Sequence, residues 1–443
     1  MGKDEPQRNE DQRGRTPQHR VRRLSLAFLL LPLSVALTAE TPAQKAALVS
    51  LPDSPAAPET TADAQTEPAL ADGTVAAKLP ILVKLQPPKP DGPRRTFEQI
   101  VDLPDEQFDV AEAVLALGAE GPGGTTPQAY TAALKALDAL AAQARLALPR
   151  NPDGIDYCET LYEVVLNRHA AKPDRQDRPE DSDLAYTVQK RRGSCLSVGI
   201  MTLAVARRIG APIWGAQCPG HFLLRYVPPP GQDHSPKPVN FDVTQPEPAN
   251  WKRLDDDFYR RWHHISRDSM ARGLYLRPLT DREVVAVFLA SKSGTQSLQG
   301  AYSEAQASAH RALALNPRDP LACINAGYAL EALSRFEEAR AMYQQSLALD
   351  PDCVRALNNL AYLKVRDPQS TVYDVKDARK LIALALERAP DTPYLLATQA
   401  EVKGAGGEWR EATRCMLEAL RRDNNPRYHE RLMYFREKLL QKK

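Results

Sequence analysis

The segment that decides the fold and the chemistry of this chain is KRRGSCLSVGI, residues 190–200. A polar turn with one glycine leads here into an apolar helix, and Cys195 stands at the junction. A cysteine in the first turn of a helix faces unpaired backbone N–H groups and the positive end of the helix dipole. Both favour the thiolate, the form in which cysteine acts as a nucleophile.

A histidine and an acid follow on two separate predicted strands. His221 opens the strand HFLLRY, and Asp242 lies in the short strand VNFDV. A proline-rich loop joins the two strands, which is consistent with an antiparallel pair. Cysteine, histidine and aspartate on three elements predict a thiol nucleophile, a base and a carboxylate that orients the base. Asp233 and Asn240 are alternative partners for the histidine.

The elements around the cysteine predict an α+β domain, a helical cluster followed by a small antiparallel sheet. Helical apolar spacing predicts three helices before the cysteine, at 108–117, about 127–148 and about 156–168, and a polar surface loop over 172–183. The cysteine helix, 196–209, ends at Gly210, a residue suited to a left-handed C-cap. Strands are predicted at 213–216, 221–226 and 239–243.

The C-terminal part of the chain is predicted to be an all-α solenoid of about four tetratricopeptide repeats, residues 283–425. Alanines recur at intervals of 34, 39 and 34, and leucines keep the same intervals; they are Ala305, Ala339, Ala378 and Ala412 with Leu313, Leu347, Leu386 and Leu420. This is the 34-residue repeat period, in which small residues let paired helices approach each other. The five extra residues of the third unit match the loop DPQST, and residues 426–443 predict a capping helix.

The N-terminal part indicates export from the cytoplasm. The basic segment RVRR precedes sixteen mostly apolar residues, 24–39, as in an export signal, so residues 1–39 are interpreted as a signal or an uncleaved N-terminal anchor. Residues 40–95 are rich in proline and alanine and predict a disordered linker. We therefore expect a periplasmic or other extracytoplasmic protein, which contacts a membrane only if its N-terminal segment is retained.

Composition argues against several other classes of function. A net charge of +2 is no basis for binding nucleic acid or an anionic membrane. The six cysteines are scattered, without the spacing of a zinc site, so neither metal nor cofactor is expected. His263 and His264 are interpreted as structural rather than metal-binding. In an oxidising compartment Cys158 and Cys218 are candidates for a disulfide, and either is a candidate for reversible pairing with Cys195.

Several motifs together resemble the transglutaminase-like domain of SirB-type bacterial proteins. They are DVAEAVLALGAEG (109–121), QKRRGSCLS (189–197), ARRIGAP (206–212), PGHFLLRY (219–226) and YLRPL (275–279). The resemblance implies a papain-like or transglutaminase-like fold over residues 96–275, followed by tetratricopeptide repeats. It also implies a triad of Cys195, His221 and Asp242. Papain-like enzymes use a glutamine six residues before the cysteine as an oxyanion donor, which makes Gln189 the candidate here.

Two functions follow as hypotheses. The first is an exported cysteine hydrolase or acyl-transfer enzyme that acts on peptide or isopeptide-type amides, with the repeats presenting a groove to a peptide or a partner protein. The alternative is a non-catalytic scaffold, in which the repeats bind protein partners and the transglutaminase-like domain is only a stable platform. Reactivity of Cys195 that depends on His221 distinguishes the two.

Overall fold

The computed structural model describes residues 85–120, 123–169, 172–173, 183–228, 238–245, 247 and 254–441. The predicted export signal or anchor, 1–39, and most of the predicted linker, 40–95, lie outside these residues. Among the helices described, none has both the length and the apolar character that crossing a bilayer requires.

A cluster of six helices forms the first part of the fold. They are α1 (Phe97–Val101), α2 (Val110–Gly118), α3 (Pro127–Ala147), α4 (Gly154–Leu161, continued by a π-helical segment Tyr162–Arg168), α5 (Leu184–Lys190) and α6 (Cys195–Ile209). The three helices predicted before the cysteine are confirmed as α2, α3 and α4 with its extension. The prediction missed α1 and α5, which are short. Each begins at a side-chain cap, Thr96 for α1 and Asp183 for α5, which stabilises a helix too short to show apolar periodicity.

The strands form two small sheets. β1 (Lys172–Pro173) pairs in parallel with β2 (Arg192–Gly193), while β3 (Ile213–Cys218), β4 (His221–Tyr226) and β5 (Val239–Phe241) form an antiparallel sheet in that order. The predicted antiparallel arrangement is confirmed. A two-residue turn, Pro219 and Gly220, joins β3 to β4, and Gly220 has φ of +78°, a conformation that favours glycine. This turn ends directly at His221.

The two faces of β4 contact different layers. Phe222 and Leu224 belong to the main core, together with much of α6. The contact is close, since a Cβ at Gly199 of α6 would lie 2.7 Å from the Phe222 ring. Leu223 points the other way, into a second cluster with Tyr259 of α7 (Asp256–Trp262). Because side chains alternate along a strand, His221 shares the face of Leu223 and points towards α7.

Nine helices described after α8 (Arg267–Ala271) form the repeat array. They are α9 (Asp281–Leu298), α10 (Tyr302–Leu315), α11 (Pro320–Ala332), α12 (Phe336–Leu349), α13 (Val354–Arg366), α14 (Val375–Arg388), α15 (Pro393–Ala405), α16 (Trp409–Arg422) and α17 (Pro426–Gln441). The four periodic alanines have 0% exposure, so the paired helices touch where the period places them. The extra residues of the third unit lie in the connection between α13 and α14, as predicted.

The repeats are fastened to the domain that carries the sheet. The buried Asp350, just after α12, accepts hydrogen bonds from the Ser269 hydroxyl (2.6 Å) and the Tyr275 hydroxyl (3.0 Å). In the connecting segment shortly after Tyr275, the Leu279 N–H donates a hydrogen bond to the Gly215 carbonyl of β3 at 2.8 Å. The segment between the two domains therefore runs along the outer edge of the sheet and is held on both sides.

Candidate active site

Cys195 is the first residue of α6, as the sequence predicts for a thiol at a helix start. The helix begins here because Ser194 caps it, its side-chain oxygen accepting a hydrogen bond from the Ser197 N–H at 3.1 Å. Cys195 is partly exposed, whereas Leu196 and the residues that follow enter the core. The thiol is thus held on a buried helix while remaining accessible to a reagent or a substrate.

His221 and Asp242 are in direct contact. The His221 Nε2–H donates to Asp242 Oδ2 at 2.7 Å. Leu224 pairs with Phe241, and extending this register places Asp242 opposite Leu223, on the same face as His221. Residues related in this way are diagonal neighbours across the two strands, within reach of an imidazole ring. The register of the sheet therefore brings the acid to the histidine.

The carboxylate of Asp242 is fully supplied with donors. Its Oδ1 accepts from the Thr244 N–H (2.9 Å) and hydroxyl (2.7 Å), and its Oδ2 accepts from the Tyr259 hydroxyl (2.7 Å) as well as from His221. Burial alone would raise the pKa of Asp242. The charge of His221, followed by these hydrogen bonds, outweighs burial and lowers the pKa to about 2. Asp242 is therefore an anion throughout the neutral and mildly acidic range.

His221 links the carboxylate to the thiol. Burial alone would lower the pKa of His221, but the charge and hydrogen bond of Asp242, followed by a hydrogen bond with Cys195, raise it well above its usual value. Because Asp242 occupies Nε2, the nitrogen left for the thiol is Nδ1. The three residues form a line of thiol, imidazole and carboxylate that favours the protonated form of the ring.

Of the alternative partners of His221, Asn240 is committed elsewhere. Its side-chain amide donates to the Leu254 carbonyl (3.0 Å) and to Asp256 (2.9 Å), and its oxygen accepts from Arg225 (2.7 Å). Asp233 lies outside the described residues. The strand register and the 2.7 Å contact therefore both favour Asp242.

The candidate oxyanion donor Gln189 is not drawn into this cluster. It lies in the last turn of α5, and its side chain is exposed. Lys190 beside it is exposed as well, and Arg191 adopts a left-handed conformation with φ of 61° that ends the helix. The spacing of six residues from the cysteine thus places Gln189 at the surface in this structure.

Two site residues that the sequence did not reveal come from α7 and the residue after it. Tyr259 donates to Asp242, and the ring of His263 lies parallel to that of His221, with centroids 5.8 Å apart and planes at 9°. No local motif marks them, although Tyr259 and His263 stand four residues apart, on one side of a helical turn. The sequence indicates a structural role for His263, and the structure places its ring beside that of His221.

The cysteines form no disulfide in the structure. All six are free thiols, and Cys158 and Cys218, the pair considered for a disulfide, are buried in different core clusters. Burial raises the pKa of both thiols well above the usual range. Over the described part of the chain, no three histidine, cysteine or acidic side chains are grouped as metal ligands.

Comparison with known proteins supports this two-part architecture. Residues 131–289 match the model of the transglutaminase-like superfamily, and residues 298–363 match a tetratricopeptide repeat model. Two curated relatives, both described as UPF0162 protein, come from Xylella fastidiosa strains 9a5c and Temecula1. They are 28% and 27% identical over 179 residues, and each match covers 39% of this chain and 60% of the relative's length.

Two solved structures are similar to parts of the chain. A thermophilic tetratricopeptide repeat protein of Thermus thermophilus is 20% identical, with a TM-score of 0.32, over 34% of this chain and 80% of that one. Menin is 15% identical, with a TM-score of 0.41, over 76% of this chain and 91% of that one.

Proposed function

We propose that this chain, a transglutaminase-like domain followed by tetratricopeptide repeats, is an exported cysteine hydrolase or acyl-transfer enzyme that acts on peptide or isopeptide-type amides. The observation that carries the proposal is the line of contacts from Cys195 through His221 to Asp242, in which His221 Nε2 lies 2.7 Å from Asp242 Oδ2. A partly exposed thiol beside an imidazolium that a buried carboxylate holds is the arrangement needed for an activated sulfur nucleophile.

The proposed reaction proceeds through a thioester. The Cys195 sulfur attacks the carbonyl carbon of the amide, and His221 gives its proton to the departing amine as the C–N bond breaks. Water or a second amine then attacks the thioester while His221, now neutral, takes up the proton of this nucleophile. The new acyl bond forms, the C–S bond breaks and the thiolate–imidazolium pair is restored. Water gives hydrolysis, and an amine gives cross-linking.

The negative oxygen of the tetrahedral intermediate requires hydrogen-bond donors. The Cys195 N–H at the start of α6 is the proposed first donor, since a helix N-terminus presents unpaired N–H groups. Gln189 is the candidate for the second. Because its side chain is exposed at the end of α5, this role requires the bound substrate to contact that surface.

The repeats supply the protein-interaction region. Tetratricopeptide repeats generally bind protein partners along the surface that their stacked helices create. We propose that this surface forms a groove that binds a peptide, which belongs either to a substrate or to a partner protein.

Export is proposed from the basic segment and the apolar residues 24–39, and it predicts that the mature protein lacks the first 39 residues. N-terminal sequencing of the protein from its native cell tests that expectation.

The decisive experiment measures alkylation of individual cysteines in the full chain. Iodoacetamide is applied at pH 5.5, and the labelled peptides are quantified by mass spectrometry. Cys415 is the internal control. Like Cys195 it is partly exposed, but its thiol contacts Gln399 rather than a histidine, and burial raises its pKa. Cys195 is expected to react at least tenfold faster than Cys415, and His221→Ala is expected to slow Cys195 about tenfold while leaving Cys415 unchanged.

A Cys195 that reacts no faster than Cys415, or at the same rate in His221→Ala, contradicts an activated nucleophile and supports the non-catalytic scaffold. Turnover is then tested with libraries of amides and esters, comparing the full chain with Cys195→Ala. Product that appears equally with both proteins argues against catalysis by this thiol.

A further inference from the structure

His263 holds the turn that leads into His221. Its Nδ1 lies 3.1 Å from the carbonyl oxygen of Pro219. A carbonyl oxygen only accepts hydrogen bonds, so the proton is on Nδ1, and this contact fixes the tautomer of the ring. Pro219 and Gly220 form the entire turn between β3 and β4. The donor of His263 therefore restrains the backbone two residues before His221.

The same ring also restrains the plane of the His221 imidazole. The rings of His263, His221 and Tyr259 are nearly parallel, with interplanar angles of 9°, 14° and 10° and centroids between 5.8 and 6.2 Å apart. Tyr259 is itself fixed by its hydrogen bond to Asp242. The imidazole is thus held at Nε2 by the carboxylate and oriented by the two rings that α7 and its end supply.

We propose that His263 is a positioning residue for the Cys195–His221 pair, acting as a neutral ring that anchors the turn at Pro219 and aligns the imidazole so that Nδ1 faces the thiol. This inference rests on the proposed function, because it assigns His263 to the reactivity of that same thiol.

The charges around His263 explain why its ring has to be neutral. The groups that face it are His221, Asp242, Tyr259 and His264, with the Pro219 carbonyl at Nδ1. Burial and then the positive charge of His221 lower the pKa of His263 to about 3. A second positive ring beside His221 would compete with it for Asp242 and disfavour the imidazolium that the thiolate requires.

Two variants each remove one of the two roles of the ring. His263→Phe retains an aromatic ring face and removes the donor to Pro219, whereas His263→Asn retains an amide donor near the position of Nδ1 and removes the ring. His264→Asn is the matched control. His264 is the exposed neighbour, its φ of 52° is left-handed, and asparagine tolerates that conformation.

The test is the alkylation rate of Cys195 between pH 5 and 9, measured relative to Cys415 in the full chain. Both His263 variants are expected to slow the reaction about tenfold at pH 5.5. Near pH 9 the wild-type rate is expected to return, because a thiol ionises there without help from an imidazolium. His264→Asn is expected to match the wild type throughout.

Wild-type rates in both His263 variants, while Cys195 still depends on His221, overturn the inference and leave the proposed function standing. Equal slowing at every pH also overturns it, since that result indicates only a structural role. If His221→Ala by itself leaves the alkylation rate of Cys195 unchanged, the proposed function itself is refuted.

A measurement on the unmodified chain decides the matter if the variants do not fold. Long-range ¹H–¹⁵N spectra of the histidine rings are expected to show His263 neutral with its proton on Nδ1 down to pH 4, and His221 protonated. A His263 that titrates near pH 6.5 overturns the inference.

Discussion

Replacement of Asp242 by asparagine is the most informative perturbation of this site. The side chain keeps its size but loses its charge, and its NH₂ group can no longer accept a hydrogen bond. With that group in place of Oδ2, both the Nε2–H of His221 and the hydroxyl of Tyr259 lose their acceptor. If the amide instead donates to Nε2, the remaining ring proton moves to Nδ1, which is the wrong tautomer for accepting a proton from Cys195.

The size of the effect follows from the pKa of Asp242. Burial alone would raise the pKa of Asp242 above 3.8, but the charge and the hydrogen bond of His221 lower it to about 2. At 1.36 kcal/mol per pKa unit, the shift of Asp242 corresponds to roughly 2 kcal/mol. By the same coupling, the ionised carboxylate stabilises the protonated form of His221. Asp242→Asn is therefore expected to slow alkylation of Cys195 at pH 5.5 by about thirtyfold, with little change at Cys415.

The same pKa shift predicts how stability depends on pH. Asp242 stays ionised in the folded chain to about pH 2, whereas in the unfolded chain it takes up a proton near pH 3.9. The stability that the ionised carboxylate gives the folded chain is fully present above about pH 4 and is lost as the pH falls towards 2. The difference in melting temperature between wild type and Asp242→Asn should therefore narrow between pH 4.5 and 2.5.

Asp257→Asn is the matched control. It removes a carboxylate from the exposed side of α7, where Asp257 pairs with Arg260 and Arg261. Wild-type labelling is expected for this variant. If Asp242→Asn also labels Cys195 at the wild-type rate, or if both variants slow it equally, the reasoning about the buried carboxylate is wrong.

Two further changes test the scaffold around the site. Gly199→Val places a side chain where a Cβ already lies 2.7 Å from the ring of Phe222, so it should destabilise the domain by about 1–3 kcal/mol and slow Cys195 labelling; unchanged thermal unfolding would contradict the close contact. Asp350→Ala leaves the buried hydroxyl of Tyr275 without its acceptor, at about 1–3 kcal/mol, whereas the Ser269 hydroxyl keeps its contact with the Ser266 hydroxyl. Its melting temperature should fall while the folded protein labels Cys195 normally, and a wild-type melting curve would show that this junction carries no stability.

The C-terminal half was predictable because its information is periodic. Ala305 and Ala339 lie where two helices touch, and a contact repeated in every unit leaves a repeated residue in the sequence. The boundaries of α6 were similarly predictable, since Ser194 caps its start and Gly210, with φ of 74°, closes it. Both signals act within one turn of the chain.

The candidate triad was partly predictable. The helix start placed Cys195, and the motif around the turn placed His221 at the head of β4, as the structure has them. The third position was open among Asp242, Asn240 and Asp233. Strand register decided between the first two by their position along the strand. Asn240 and Asp242 share one face, but Asn240 pairs with Arg225, whereas Asp242 lies diagonally opposite His221.

What the sequence determined by itself was therefore the set of elements and the order of cysteine, histidine and acid, since turns, caps and apolar periods are local. Only the tertiary structure brought Tyr259 to Asp242 and His263 to His221, and only it placed Gln189 at the surface. The positions of Tyr259 and His263 depend on how α7 packs against the face of the sheet opposite α6. Packing between elements far apart in the chain follows from their combined shapes and charges, so no short stretch of sequence carries it.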